Sequence, residues 1–158
     1  MKLIIFDLDD TLYDRIGQLD ETYANLKDIK PFPDAIKVLK LITPPKILLS
    51  FGDPVIQEQK IDALGVRNFF KEIHICSDSP KEKKEIIRYL MKKYKVTPAE
   101  TLIVGDRIDS ELRFGKLLGC ITVRLLHGKY KDLKPKDEYE IPTYTIKRLG
   151  EVIKLCKQ

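Results

Sequence analysis

Residues 3–11, LIIFDLDDT, set three carboxylates and a hydroxyl at the end of an apolar run. An apolar run closed by a polar break reads as a buried parallel strand, with Asp7, Asp9 and Thr11 at its carboxyl end. Open α/β sheets bind their ligands at that end. Three carboxylates within four residues cannot all be buried and ionised without a counter-charge. Water or a divalent cation must share the site, and a metal is the economical reading.

The rest of the chain supplies elements to hold such a site. Apolar runs at residues 46–53, 72–78, 101–106 and 120–126 read as further strands, and TYTI, ending at Ile146, as a short edge strand. Helical spacing appears across part of 12–26, where Gly17 interrupts it, and over 34–42, 54–64, 109–118 and 147–155. Ser79, Pro80 and Glu82 form the signature of a helix start, and Ile86, Ile87, Leu90, Met91 and Tyr94 continue one face. Alternating strands and helices predict an α/β fold: a doubly wound, Rossmann-like parallel sheet with right-handed crossovers and helices on both faces.

The 158 residues, 43% of them hydrophobic, suit a single domain spanning 1–158. Charged residues make up 34%, net charge is +5 and pI about 9.0, with no tryptophan, a composition resembling heat-adapted proteins. A basic balance steers anionic substrates, whereas lysine-rich helices are usually solvated faces, so nucleic acid is not the expected partner. Cys76, Cys120 and Cys156 lie far apart without a CxxC pair, which predicts neither a disulfide framework nor a zinc site. The first residues lack the pattern of a signal peptide and no run is long enough to span a bilayer, so a soluble, cytoplasmic protein without membrane partners is expected.

The D-L-D-D-T of residues 7–11 resembles the D-x-D-x-T signature of the haloacid dehalogenase-like hydrolase superfamily, whose members are mostly magnesium-dependent phosphatases. Three further motifs follow in order: Ser50 in S-F-G, lysines within 81–84, and G-D-R-I-D-S-E from Gly105. The resemblance implies that Asp7 is a nucleophile forming an aspartyl-phosphate and that Asp9 is its acid and base. It implies that Ser50 holds the phosphoryl group, with the following backbone N–H groups helping as Gly52 turns the chain. Mg2+ is the implied cofactor, with Asp7, the Asp9 carbonyl and Asp106 as ligands. Glu111, five residues after Asp106, fits the spacing of a supporting acid better than Asp109, three after it, which is read as a helix cap. Asp10, on the alternate face, is expected to bond locally. The lysine is open among Lys81, Lys83 and Lys84. A gapless count back from Gly105 picks Lys81, whereas helical spacing puts Lys83 on the inward stripe with Ile87 and Leu90, and Lys83 is preferred.

Between Thr11 and Ser50, and again from Ser50 to the lysines, predicted elements consume most of the chain, leaving no room for a full cap domain. A minimal, nearly capless phosphatase of a phosphorylated small molecule is therefore expected, with residues 12–30 as the one candidate flap. A neighbouring subunit in a homo-oligomer is the favoured cover, through Tyr13, Ile16 and Leu19 read as an exposed apolar surface. Two alternatives are weighed. A dehalogenase of the same superfamily has no use for an acid that protonates an alkoxide. A non-catalytic phosphate-binding module would have no reason to keep the acidic set.

Overall fold

The apolar run at residues 3–6 forms β1, Leu3–Phe6, buried along its whole length. β2, Lys46–Phe51, and β4, Thr101–Gly105, flank it, both parallel. With β3 (Glu72–Cys76), β5 (Ile121–Leu125) and β6 (Tyr144–Ile146) they make one six-stranded parallel sheet in the order β3-β2-β1-β4-β5-β6. The computed structural model describes residues 1–157. The chain builds outward from β1 on one side and then returns to build outward on the other. The carboxyl ends of β1 and β4 are therefore the topological switch point, where a crevice opens.

The helices are α1 (Arg15–Gln18), α2 (Ala35–Leu41), α3 (Pro54–Ala63), α4 (Glu82–Tyr94), α5 (Glu111–Leu117) and α6 (Val152–Cys156). The two-residue period of the strands sorts the core between two layers. Ile4, Phe6, Leu48 and Val104 pack with Val38 and Leu39 of α2, Ile61 of α3 and Val152 of α6. Leu3, Ile5, Ile47, Leu49 and Ile103 face the other way, onto Ile87 and Leu90 of α4 and Leu112 of α5. Both faces are covered, so the doubly wound arrangement follows from the strand pattern. No helix among the described residues is long and apolar enough to cross a membrane.

Local chemistry moves several boundaries. In residues 12–30 only α1 and a 3-10 turn at Leu26–Asp28 are helical, because the Asp20 carboxylate takes the N–H groups of Thr22 (2.9 Å) and Ala24 (3.2 Å). Tyr13 and Leu19 are not an exposed surface: Tyr13 is fully buried and Leu19 packs on the core, leaving Ile16 exposed. Asp109 does not cap α5. That helix begins at Glu111 with Ser110 at its cap position, while Asp109 pairs with Arg107 at 3.0 Å. The last helix is shorter than expected, a 3-10 turn at Leu149–Glu151 preceding α6.

The edge strand β3 is tied to the end of α4 by Glu72. Its carboxylate accepts from Tyr94 Oη at 2.7 Å, pairs with Lys93 Nζ at 2.8 Å and lies 3.1 Å from His74 Nε2. Burial opposes its charge, but the bonds from Lys93, Tyr94 and His74 outweigh it and hold the carboxyl down at about 2 from an ordinary 4.5. A depressed folded-state value stabilises the protein above 4.5 and is lost as pH falls toward 2. The stability advantage of wild type over Glu72→Gln, measured by urea unfolding, is therefore expected to hold from neutral pH down to about pH 5 and to shrink below that, toward pH 3. An advantage that stays constant over that range would show that Glu72 carries no such linkage.

Candidate active site

Asp7 follows β1 directly, and its N–H still donates to Val104 O of β4 at 2.9 Å, so its side chain is fixed at the switch point. Asp106 follows β4 and lies beside it. Glu111, at the start of α5, completes the group: oxygens of Asp7, Asp106 and Glu111 all lie within 4.8 Å of one another. Gly105 lets Glu111 approach, since a Cβ there would collide with the Glu111 carboxylate. The Arg107 N–H donates to Glu111 Oε1 at 3.1 Å and fixes it. Lys83 reaches in from the first turn of α4, its Nζ 2.8 Å from Asp7 Oδ1 and 3.0 Å from Glu111 Oε2. All four side chains are buried.

One ammonium among three buried carboxylates leaves negative charge uncompensated. Burial pushes the Asp7 carboxyl up, Lys83 pulls it back and Glu111 adds to the rise. Asp106 is raised further, by burial and then by Glu111, Asp7 and Asp10, and no cationic side chain among the described residues pairs with it. Burial disfavours a charged Lys83, yet Asp7 and Glu111 hold it charged. An all-oxygen acidic set with a deficit of positive charge suits a hard divalent cation.

Asp9 sits in a separate network. The chain turns tightly after Leu8, with Asp10 at φ 53°, so that Asp9 turns toward α3 and Asp10 bonds locally to Arg15 N at 2.9 Å. Asp9 Oδ1 accepts from Lys60 Nζ at 2.8 Å and from Tyr13 Oη at 2.5 Å; Oδ2 accepts from Gln57 Nε2 at 3.0 Å. Burial opposes the charge on Asp9, but Lys60, Tyr13 and Gln57 together hold its carboxyl below the usual range. Lys60 and Gln57 stand one turn apart on α3, on the buried face with Ile61. Neither was identified from sequence. The signal was present as two long polar side chains on the stripe of α3 that also carries Ile61, where apolar residues belong.

Ser50, at the end of β2, is buried and does not line the crevice; its Oγ accepts from the same Gln57 amide at 2.6 Å. The Gly52 N–H donates to Cys76 O at 2.9 Å, so it extends the strand ladder and is not available to a ligand. Lys81 is exposed, and neither it nor Lys84 lines the crevice. Asp109 stays outside the acidic group, engaged by Arg107. The crevice itself, of about 270 Å³, has Asp7, Lys83, Asp106 and Glu111 at its base and Arg15, Ile16, Lys129 and Tyr130 at its mouth.

The family model of the haloacid dehalogenase-like hydrolases matches residues 15–119. Glyceraldehyde 3-phosphate phosphatase of Methanocaldococcus jannaschii is 36% identical over 144 residues, 86% of this chain and 61% of its own. The enzyme of that name from Methanopyrus kandleri is 31% identical over 135 residues, 82% of this chain and 58% of its own. The chain thus spans about three-fifths of the length of these curated relatives. Among solved structures, the putative HAD-hydrolase YfnB from Bacillus subtilis bound to magnesium is similar in fold. Its TM-score is 0.74 at 17% identity, over 99% of both chains.

The Asp9 network yields a stability prediction. Lys60→Met leaves the Asp9 carboxylate partly buried without its cation. The expected cost is near the low end of roughly 3–5 kcal/mol for breaking a buried pair, because Asp9 keeps some solvent contact. Adding Asp9→Asn should recover part of that loss in a double-mutant cycle of chemical unfolding; strictly additive losses would mean that the pair is not coupled.

Proposed function

The chain belongs to the haloacid dehalogenase-like hydrolase family, and from that premise we propose that its site hydrolyses small phosphomonoesters through a covalent intermediate on Asp7. The observation that carries the reading is the Asp7 carboxylate, fixed by Lys83 at 2.8 Å within a buried acidic group at the mouth of the sheet. The relatives' name points to a phosphorylated three-carbon metabolite as the class of substrate.

Asp7, Asp106 and the Asp9 carbonyl would hold Mg2+, with Glu111 supporting through Lys83 and its place in the acidic group. When bound, the cation neutralises charge on the phosphoryl oxygens and on the carboxylates around them. Asp7 attacks phosphorus, forming its Oδ–P bond as the bond to the leaving oxygen breaks. Lys83 keeps Asp7 oriented and offsets repulsion between the carboxylate and the incoming dianion. Asp9 serves as acid and base. Lys60, Tyr13 and Gln57 keep its carboxylate ionised and so able to accept a proton in the second step, in which it takes one from water as water attacks phosphorus and the Oδ–P bond breaks. In the first step the leaving oxygen needs a proton. That proton arrives either on the substrate monoanion or on an Asp9 released from Lys60. Ser50 acts through Gln57, whose amide spans Ser50 and Asp9, and so positions the base without touching the phosphoryl group.

Asp7→Asn removes the nucleophile with little change of volume. It is expected to lower kcat/KM for phosphomonoesters on the order of 10³-fold or more while circular dichroism and melting stay those of a folded protein. Activity within about tenfold of wild type would remove Asp7 from the chemistry. Chloride release from a 2-haloacid is expected to be undetectable, and release that does not depend on Mg2+ would favour dehalogenation.

A further inference from the structure

The mouth of the crevice holds positive charge that phosphoryl transfer at its base does not use. Arg107 is neutralised by Asp109, with Nε at 3.0 Å and Nη2 at 3.1 Å from its two oxygens. Arg15 is paired only at the limit of an ion pair and without a hydrogen bond to a carboxylate: its closest carboxylate oxygen is Asp9 Oδ1 at 3.9 Å, which Lys60 already neutralises, and its other polar contact is Tyr23 Oη at 3.3 Å. Lys129 has no carboxylate within ion-pair distance among the described residues; its Nζ lies 5.6 Å from the centre of the Tyr130 ring. Both line the crevice.

The two walls that carry them are built. Arg124, buried at the end of β5, donates from Nη2 to the carbonyls of Tyr130 (2.7 Å), Leu133 (3.0 Å) and Lys131 (3.2 Å), holding the loop that presents Lys129 and Tyr130. Gly128 turns that loop at φ 68°, against Asp10. α1, with Arg15, is anchored on the opposite side by Asp10 at its start. His127 Nε2 lies 3.0 Å from Asp14 Oδ1 and joins one wall to the other. Tyr130 itself stacks under Arg107, 4.4 Å from its guanidinium carbon. Charge fixed on such walls is preorganised for a ligand and costs little ordering on binding.

We infer that the substrate carries a second anionic group, a carboxylate or another phosphoryl, gripped between Arg15 and Lys129 at the mouth while the first phosphoryl sits at the base. The inference rests on the phosphomonoester reading and narrows it to phosphorylated small acids and short bisphosphates. A crevice of about 270 Å³ accommodates a leaving group of a few carbons. The opposed charges of base and mouth also set polarity: the phosphoryl end needs the cation and Lys83 within, and the second anion, which the acidic base repels, stays outside.

The test compares three three-carbon esters with Mg2+ present: glyceraldehyde 3-phosphate, 3-phosphoglycerate and propane-1,3-diol bisphosphate. An anionic ester should exceed the aldehyde in kcat/KM by about tenfold or more, the scale of one charge-assisted hydrogen bond, with the better of the two anionic esters identifying the group. That preference should fall about tenfold in Arg15→Gln and in Lys129→Gln, mostly through KM. Turnover of all three esters without preference, or a preference that neither substitution reduces, overturns the inference and leaves the phosphomonoester reading intact. No turnover of any of them, nor of p-nitrophenyl phosphate, overturns that reading and the inference with it.

Discussion

Three carboxylates share a buried space with one ammonium, and much of the molecule is arranged to keep them there. Asp7 and Asp106 are brought together because β1 and β4 are neighbours whose helices leave in opposite directions. Glu111 enters because Gly105 has no side chain to stop it, and Lys83 enters because the first turn of α4 lies over the same end of the sheet. Isolated, such a group would strongly disfavour its own ionisation. The raised Asp7 and Asp106 carboxyls express that cost, which falls when a cation or a protonated state makes up the deficit.

Two lysines divide the acids between two tasks. Lys83 belongs to the group around Asp7, whereas Lys60 belongs to Asp9 alone, with Tyr13 and Gln57 completing its shell. Carboxylates two residues apart in sequence thus meet opposite environments: Asp7 is pushed up by burial, and Asp9 is held down by its donors. Environments that separate neighbouring carboxyls in this way allow one to serve as nucleophile and the other as base. The mouth repeats the pattern with the sign reversed, Arg15 and Lys129 lining it where the base is acidic.

The strands were legible because a doubly covered strand must be apolar throughout, and LIIF, KILL and TLIVG have few other readings. The inward position of Lys83 followed from its spacing to Ile87 and Leu90 on a long helix. The helical reading of 12–26 failed because the apolar spacing of Leu12, Ile16, Leu19, Tyr23 and Leu26 looks helical, while the Asp20 carboxylate satisfies the backbone in a turn instead. Lys60, Gln57 and Arg124 escaped notice for a different reason. Each is a polar side chain on a buried position: the partner of Lys60 and Gln57, Asp9, lies about fifty residues back along the chain, and Arg124 binds loop carbonyls that no side-chain pattern marks. Among the backbone N–H groups after Ser50 that were expected to help hold a ligand, that of Gly52 is taken by Cys76 O, which only the pairing of β2 with β3 reveals.

Calorimetric titration with Mg2+ at about pH 7, in two buffers of different ionisation enthalpy, addresses the charge deficit directly. Burial holds Asp7 and Asp106 above the ordinary carboxylate range, so metal binding must displace protons from the acidic group. Wild type is expected to bind Mg2+ with proton release to the buffer, and Asp106→Asn to bind it far more weakly. Absence of Mg2+ binding, or equal binding by Asp106→Asn, would contradict the reading of this cluster as a cation site, and binding without proton exchange would contradict the raised carboxyls.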